Sequence, residues 1–274
     1  MLDQITNENN DEGARVILYG EPKAGKTTLA CSIPNALLIP TEAGYTGIKV
    51  DRLPVLTTYE AINNALEEIK IAVINKKFEY KTIVIDSLTA IESIILRDVV
   101  RFNSGDTGGL DTSLASKPTI DTILGGFGRG QNLFVELFKT VLNKLEILAR
   151  KGKINVVCTC HVSHTQMVDP IMGEFDAWDL ALFSSKNKRT PGNKDAVTQW
   201  ADLIGFLHQP SFISESNGVN RVINNNKERQ LGVAKEAGYL AGNRYGLTKS
   251  IDIPATNGWE EVSSAVLEAS GINI

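Results

Sequence analysis

Cysteine is scarce in this 274-residue sequence, with Cys31, Cys158 and Cys160 the whole supply. Three thiols make no disulfide framework, which excludes the small stapled secreted class and fits a reducing cytosol. No apolar run approaches the roughly 18–20 residues needed to cross a bilayer, so no membrane partner is expected. The opening Met1-Leu2-Asp3-Gln4-Ile5 lacks both the basic start and the apolar stretch of a secretory signal. Aromatics are thin at 7%, and neither sign of charge dominates: 28 Lys and Arg stand against 32 Asp and Glu, for a net −4. Disorder of the whole chain is excluded by the 42% of hydrophobic residues, which suffice for a proper core. Internal repeats and convincing linkers are also missing. The expected organisation is an acidic tail over residues 1–13 and one domain over residues 14–274.

The charge is unevenly placed. Asp3, Glu8, Asp11 and Glu12 give the tail −4 with no Lys or Arg, so the remainder is neutral overall. Basic residues gather late, in Lys186, Lys188, Arg189 and Lys194, and again between Arg221 and Lys249. A solvated surface accounts for such clusters as well as a polyanion does.

Strand and helix signals alternate. Short apolar runs at 16–19, 36–39, 82–86, 154–160 and 202–207 read as buried strands. Residues 26–33 read as a helix stopped by Pro34, and a capping box at Thr57–Glu60 leads into Ile62, Leu66, Ile69 and Val73 at helical spacing. Phe134, Leu137, Phe138, Val141, Leu145 and Leu148 mark the strongest helix, and residues 259–269 a last one. Near-continuous apolar strands between amphipathic helices predict an α/β fold, a mostly parallel sheet covered on both faces. After Arg221 the pattern becomes shorter and β-rich. Two stretches, about 103–130 and 163–194, read as long loops, and loops of that length in a compact domain are commonly functional.

One motif carries chemistry. Gly20-Glu21-Pro22-Lys23-Ala24-Gly25-Lys26-Thr27 fits G-x-x-x-x-G-K-[ST], with a strand before it and a helix after it. The glycines let the backbone wrap a phosphate, and residues 20–28, through Thr28, form the candidate nucleotide-binding set. Lys26 would reach the β- and γ-phosphates, and Thr27 would bind Mg²⁺. Asp86 ends the strand at 82–86, where its carboxylate emerges at the C-terminal edge of the sheet and can hold the same ion. No N-K-x-D guanine signature is complete, which favours ATP. Glu21, five residues before Lys26, stands where a partition-type ATPase has a second lysine.

Further segments carry a resemblance. Thr41-Glu42 at the end of the second strand, Asp86-Ser87 at the third and Cys158-Thr159-Cys160-His161 at the fourth follow the order of RecA-type recombinase ATPases. With Gly126-Phe127-Gly128-Arg129-Gly130 and Ala241-Gly242-Asn243-Arg244-Tyr245-Gly246, the chain resembles the compact phage RecA-like P-loop ATPases that act as single-strand annealing recombinases. That resemblance implies a RecA-like core, ATP hydrolysis, and a homo-oligomeric filament or ring with ATP at subunit interfaces. It also implies single-stranded DNA as partner, possible contact with a single-stranded DNA-binding protein, and the cytoplasm of an infected bacterial host. It makes Glu42 the general base, His161 a sensor of the γ-phosphate, and Arg244 a finger that reaches a neighbour's nucleotide. Gly242 replaces the family's lysine in the finger segment, leaving one cation or help from Lys249. No obvious polymerisation module is expected before the first strand, nor a large C-terminal domain after the last helix.

The resemblance turns the two long stretches into DNA-binding loops. Lys117 and Arg129 in the first, and Lys186, Lys188, Arg189 and Lys194 in the second, would contact phosphates. Asp169, Glu174, Asp176 and Asp179 share the second stretch and can bind Mg²⁺, face a neighbour or point to solvent. Phe127 and Trp178 can stack on bases or pack their own loops. The close spacing of Cys158, Cys160, His161 and His164 mimics a zinc site, but alternate strand residues face opposite ways, so Cys160 and His161 diverge. Two rival functions remain: a helicase-like or clamp-loader-like phage ATPase, and a nucleotide-dependent assembly switch that binds no DNA.

Overall fold

The structure, a computed structural model, describes residues 12–105, 118–169, 173–185, 191–216, 219–224 and 229–274. Its strands are β1 (Arg15–Gly20), β2 (Ala36–Pro40), β3 (Asp51–Arg52), β4 (Thr82–Asp86), β5 (Asn155–Asp169), β6 (Gly173–Leu180), β7 (Leu203–His208), β8 (Ser211–Ser216), β9 (Val219–Asn224), β10 (Arg229–Gly232), β11 (Gly242–Asn243) and β12 (Ile251–Ile253). Its α-helices are α1 (Lys26–Cys31), α2 (Tyr59–Ile74), α3 (Leu88–Phe102), α4 (Arg129–Arg150), α5 (Asn193–Trp200) and α6 (Gly258–Ser270).

The main sheet runs β12-β10-β7-β1-β5-β4-β2-β3. Its centre, from β7 to β3, is parallel, whereas β10, β11 and β12 join antiparallel and make the late region β-rich, as expected. Alternation along β1 explains the layers. Ile17 and Tyr19 face the core under α2, α3 and α4, while Val16 and Leu18 face the core under α1 and α6. Both faces are covered, so all five residues of β4 are buried, and the near-continuous apolar strands follow from that.

Order along the sheet positions the site. Strand β5 lies between β1 and β4, and β2 lies on the far side of β4. The C-terminal ends of β1, β4 and β2 and the middle of β5 therefore meet at one edge, the usual ligand edge of a parallel sheet.

Several expectations need correction. The helix α2 is capped by Thr58, whose hydroxyl accepts from Ala61 N, rather than by Thr57. Helix α3 was missed, although Ser87 caps it through Ala90 N and Leu88, Ile91, Ile95 and Val99 face inward. Helix α5 was missed as well, because only Val197 among its apolar residues is fully buried. The fourth strand does not stop at Cys160. It runs on to Asp169 and pairs antiparallel with β6, so much of the expected loop at 163–194 is a hairpin rising from the ligand edge.

Candidate functional site

Strand β1 delivers the chain to Gly20, where φ is +157° and a Cβ would collide with the Leu207 carbonyl of the neighbouring strand. Only glycine fits that approach. The loop then turns through Gly25 (φ +93°) into α1. Lys26 is buried, and its Nζ donates to the carbonyls of Gly20 (3.0 Å) and Glu21 (2.9 Å). Burial pulls the ammonium below its ordinary pKa, and the nearby Asp86 carboxylate opposes that pull.

Asp86 is buried at the end of β4 and held from two sides. Thr27 Oγ1 donates to its Oδ2 at 3.0 Å, and the Thr159 hydroxyl of β5 donates to its Oδ1. A hydroxyl and a carboxylate thus converge beside the phosphate loop. Both are hard oxygen donors, and with phosphate oxygens and waters they suit Mg²⁺. When bound, the ion neutralises charge on the phosphates; Thr27 and Asp86 are the side chains that would hold it.

Glu42 follows β2 and is drawn toward the same point by its neighbours. Thr41 N donates to Asp86 O (2.8 Å), and Ser87 N donates to Thr41 Oγ1 (2.9 Å), which locks the ends of β2 and β4 together. Ser87 Oγ then donates to Glu42 Oε1 at 2.7 Å, and His161 Nε2 lies 3.0 Å from the same oxygen. The His161 bond, seconded by Ser87 and Lys26, holds the Glu42 carboxyl below its usual range despite partial burial. Reciprocally, the carboxylate raises the imidazole above its ordinary value. An ionised carboxylate whose second oxygen has no partner among the described residues, facing a phosphate site, is chemically able to take a proton from water.

These groups line one cleft of about 340 Å³, whose walls include Lys23, Lys26, Thr27, Glu42, Asp86 and His161. His161 is not at a strand end as expected. It sits mid-β5, opposite Gly20 of β1, at the point where β5 leaves the parallel sheet and becomes the first arm of the hairpin. Its amide donates to Thr89 Oγ1 (3.0 Å), and its carbonyl accepts from Ala181 N (2.9 Å) at the base of that hairpin.

The other candidates lie elsewhere. Arg244 is at the opposite end of the sheet, with Nη1 on Asp202 Oδ1 (2.8 Å) and Nη2 on the Gln199 carbonyl (2.6 Å). Lys194 pairs with buried Asp179 at 2.6 Å, so within the chain its charge is already compensated and it ties α5 to β6. Lys117, Lys186, Lys188 and Arg189 fall outside the described residues. Arg129 opens α4 and donates to the Leu124 carbonyl at 3.3 Å. Phe127, two residues earlier, is 98% exposed. Trp178 packs instead, edge-on to His164 and against the core. Of the acidic candidates, Glu174 and Asp176 are exposed on β6. Cys158 and Cys160 are buried on the α3–α4 side of the sheet, and among the described residues no cluster of three His, Cys, Asp or Glu suits a metal ion.

Ser87 and Thr159 are site residues that spacing alone did not reveal. The signal for Thr159 was its period-2 relation to His161, which puts both on one face of β5. A family model described as an AAA domain matches residues 12–245 of the chain. No curated protein matches it.

Proposed function

The chain belongs to the AAA domain family and is an AAA-type P-loop ATPase domain, and from that premise we propose that it is a RecA-like ATPase acting on single-stranded DNA. In this reading the domain hydrolyses ATP with Mg²⁺, assembles as an oligomer and promotes annealing or recombination. The observation that carries the reading is the position of His161. It bonds to Glu42 at 3.0 Å in the phosphate cleft, and the same strand continues directly into the β5–β6 hairpin. In this reading a change at His161 on nucleotide binding passes to the hairpin through one backbone. Phe127 and Arg129 lie at the N-terminal end of α4, whose Phe134 packs on Phe183 just beyond β6, so they flank the edge that carries the hairpin.

In this mechanism Lys26 binds the β- and γ-phosphates after exchanging its carbonyl partners for phosphate oxygens. Glu42 orients the attacking water and accepts its proton, while His161 reports the γ-phosphate to the hairpin. Exposed Glu174 and Asp176 on β6 would repel a DNA backbone, and they favour a second reading in which the hairpin meets protein and the domain is an assembly switch.

Steady-state ATP turnover, with and without a single-stranded oligonucleotide at two salt concentrations, separates these readings. The DNA reading expects stimulated turnover and salt-sensitive binding, with turnover abolished in Lys26→Ala. Unstimulated turnover with no oligonucleotide binding at low salt gives the assembly switch instead, and ATP-driven unwinding of duplex gives a helicase.

A further inference from the structure

Arg229, the first residue of β10, reaches the phosphate loop from outside the cleft. Its Nη2 donates to the Pro254 carbonyl at 2.8 Å, and its Nη1 lies 3.4 Å from the Ala24 carbonyl in the loop itself. The guanidinium fills the space behind Gly25 so closely that a Cβ there would overlap it. Among the described residues it has no carboxylate partner, so it is spent on backbone oxygens. A loop that turns its N–H groups inward to a phosphate turns carbonyls outward, and those need donors.

A second observation comes from the space beside it. Arg229 lines a cleft of about 580 Å³ with Thr28, Ile48, Lys49, Thr256 and Asn257, and no lining residue is acidic. Thr28 and Ile48 also line the phosphate cleft, so the two spaces adjoin. A nucleoside leaving the loop on its Thr28 side would meet this second space, whose charged lining residues are Lys49 and Arg229.

We propose that Arg229 is a positioning residue for nucleotide: it braces the phosphate loop at Ala24 and Gly25 and closes the nucleoside side of the cleft. This rests on the ATPase reading. Arg229 lies away from Glu42 and His161, so it sets affinity rather than the rate of the chemical step. Its planar fork spans two carbonyls at once, one in the loop and one before α6, which a lysine can only partly imitate.

The test compares the full-length wild type with Arg229→Ala, Arg229→Lys and Arg229→Gln. It measures KM and kcat for ATP, the affinity for a fluorescent ATP analogue, and thermal melting without nucleotide. The expected result is a KM and Kd raised about tenfold or more in Arg229→Ala with kcat within about threefold, partial recovery in Arg229→Lys, and a nucleotide-free melt close to wild type. An unchanged KM, or a kcat that falls as far as KM rises, overturns the proposal. If Arg229→Ala melts far below wild type, the Lys and Gln variants decide by the same criterion: both must raise KM at near-normal kcat, Gln the more. A wild type that neither binds nor turns over ATP would instead remove the ATPase reading on which the proposal stands.

Discussion

Glu42 and His161 are joined across the mouth of the phosphate cleft, Oε1 to Nε2 at 3.0 Å, although 119 positions separate them in the chain. Strand β4 brings them together by lying between β2, which Glu42 follows, and β5, which carries His161. Ser87 Oγ donates to the same carboxylate oxygen at 2.7 Å, so that oxygen is fixed, and among the described residues the other has no partner that would keep water from it. Replacing Glu42 by Gln preserves volume and much of the hydrogen bonding but removes the basic oxygen. The expected outcome is a fall in kcat of about 10²–10⁴, the usual worth of a positioned base, with ATP affinity changed only a few-fold. Single-turnover hydrolysis beside equilibrium nucleotide binding measures both. A Glu42→Gln protein that turns over normally would take the base role away from this residue.

The same pair predicts a pH signature. His161 has its pKa raised by Glu42, so its contribution to stability is complete below the unfolded value of about 6.5 and is lost as pH rises through the raised value. Glu42 has its pKa lowered, so its contribution is present above its unfolded value of about 4.3 and is lost as pH falls through the lowered one. Between about pH 4.5 and 6.5 both contributions are whole. The Tm difference between wild type and His161→Ala is therefore expected to be largest in that window and to shrink toward pH 9. Both side chains are partly exposed, which keeps the effect small and makes its sign the measurement. A difference that grows toward alkaline pH would mean the pair is not charged as described.

The exposed Phe127 offers a test that leaves the fold alone. At 98% exposure it stabilises nothing in the isolated chain, yet it stands beside Arg129 at the edge that carries the hairpin. Under the DNA reading, Phe127→Ala is expected to weaken binding to a single-stranded oligonucleotide by about 1–3 kcal/mol, the cost of losing a base-stacking platform. Its Tm and its DNA-free ATP turnover should match wild type. Unchanged oligonucleotide affinity, by fluorescence anisotropy, would make the residue irrelevant to nucleic acid.

What the sequence made legible follows from how local each signal is. The phosphate loop is contiguous, and β4 with Asp86 is a buried run ending in an acid, so both could be placed from spacing alone. Helix α3 was hidden because its apolar pattern starts directly after Asp86-Ser87 and carries the buried Asp98, whose Oδ2 accepts from Tyr59 N at 2.8 Å. The extension of β5 was hidden because its residues beyond Val162 are mostly polar, and Ser163, His164, Thr165, Gln166 and Val168 are exposed or half-buried, so they lack the apolar run that marked the earlier strands. Glu42 was reachable only through a family resemblance. Thr159 and Arg229 meet the site from 73 and 205 positions away from their partners, through neighbours in the sheet that no local pattern records.

Arg244 makes the last prediction, because its place in the sheet rules out its own cleft. Its backbone N donates to Asp202 O at 2.8 Å, and Asp202 N in turn donates to Arg15 O at 2.8 Å, at the N-terminal end of β1. From Arg15 to Gly20 the strand rises about 16 Å, so Arg244 and the phosphate loop of one subunit lie at opposite ends of the sheet. Direct contact of Arg244 with a γ-phosphate would then have to be made on a neighbour. Removing it leaves Asp202 still held by Arg15 through Nε (2.8 Å) and Nη2 (2.7 Å), and the Arg244 side chain is 54% exposed, so the stability loss should stay within about 1 kcal/mol. If Arg244 serves as a finger, Arg244→Ala should lose hydrolysis by about 10³ or more. Mixing it with Lys26→Ala, itself inactive but with its Arg244 intact, should restore part of the rate, since some mixed interfaces then pair an intact loop with an intact arginine. Normal hydrolysis by Arg244→Ala alone would end the finger assignment and leave the residue as a partner of Asp202.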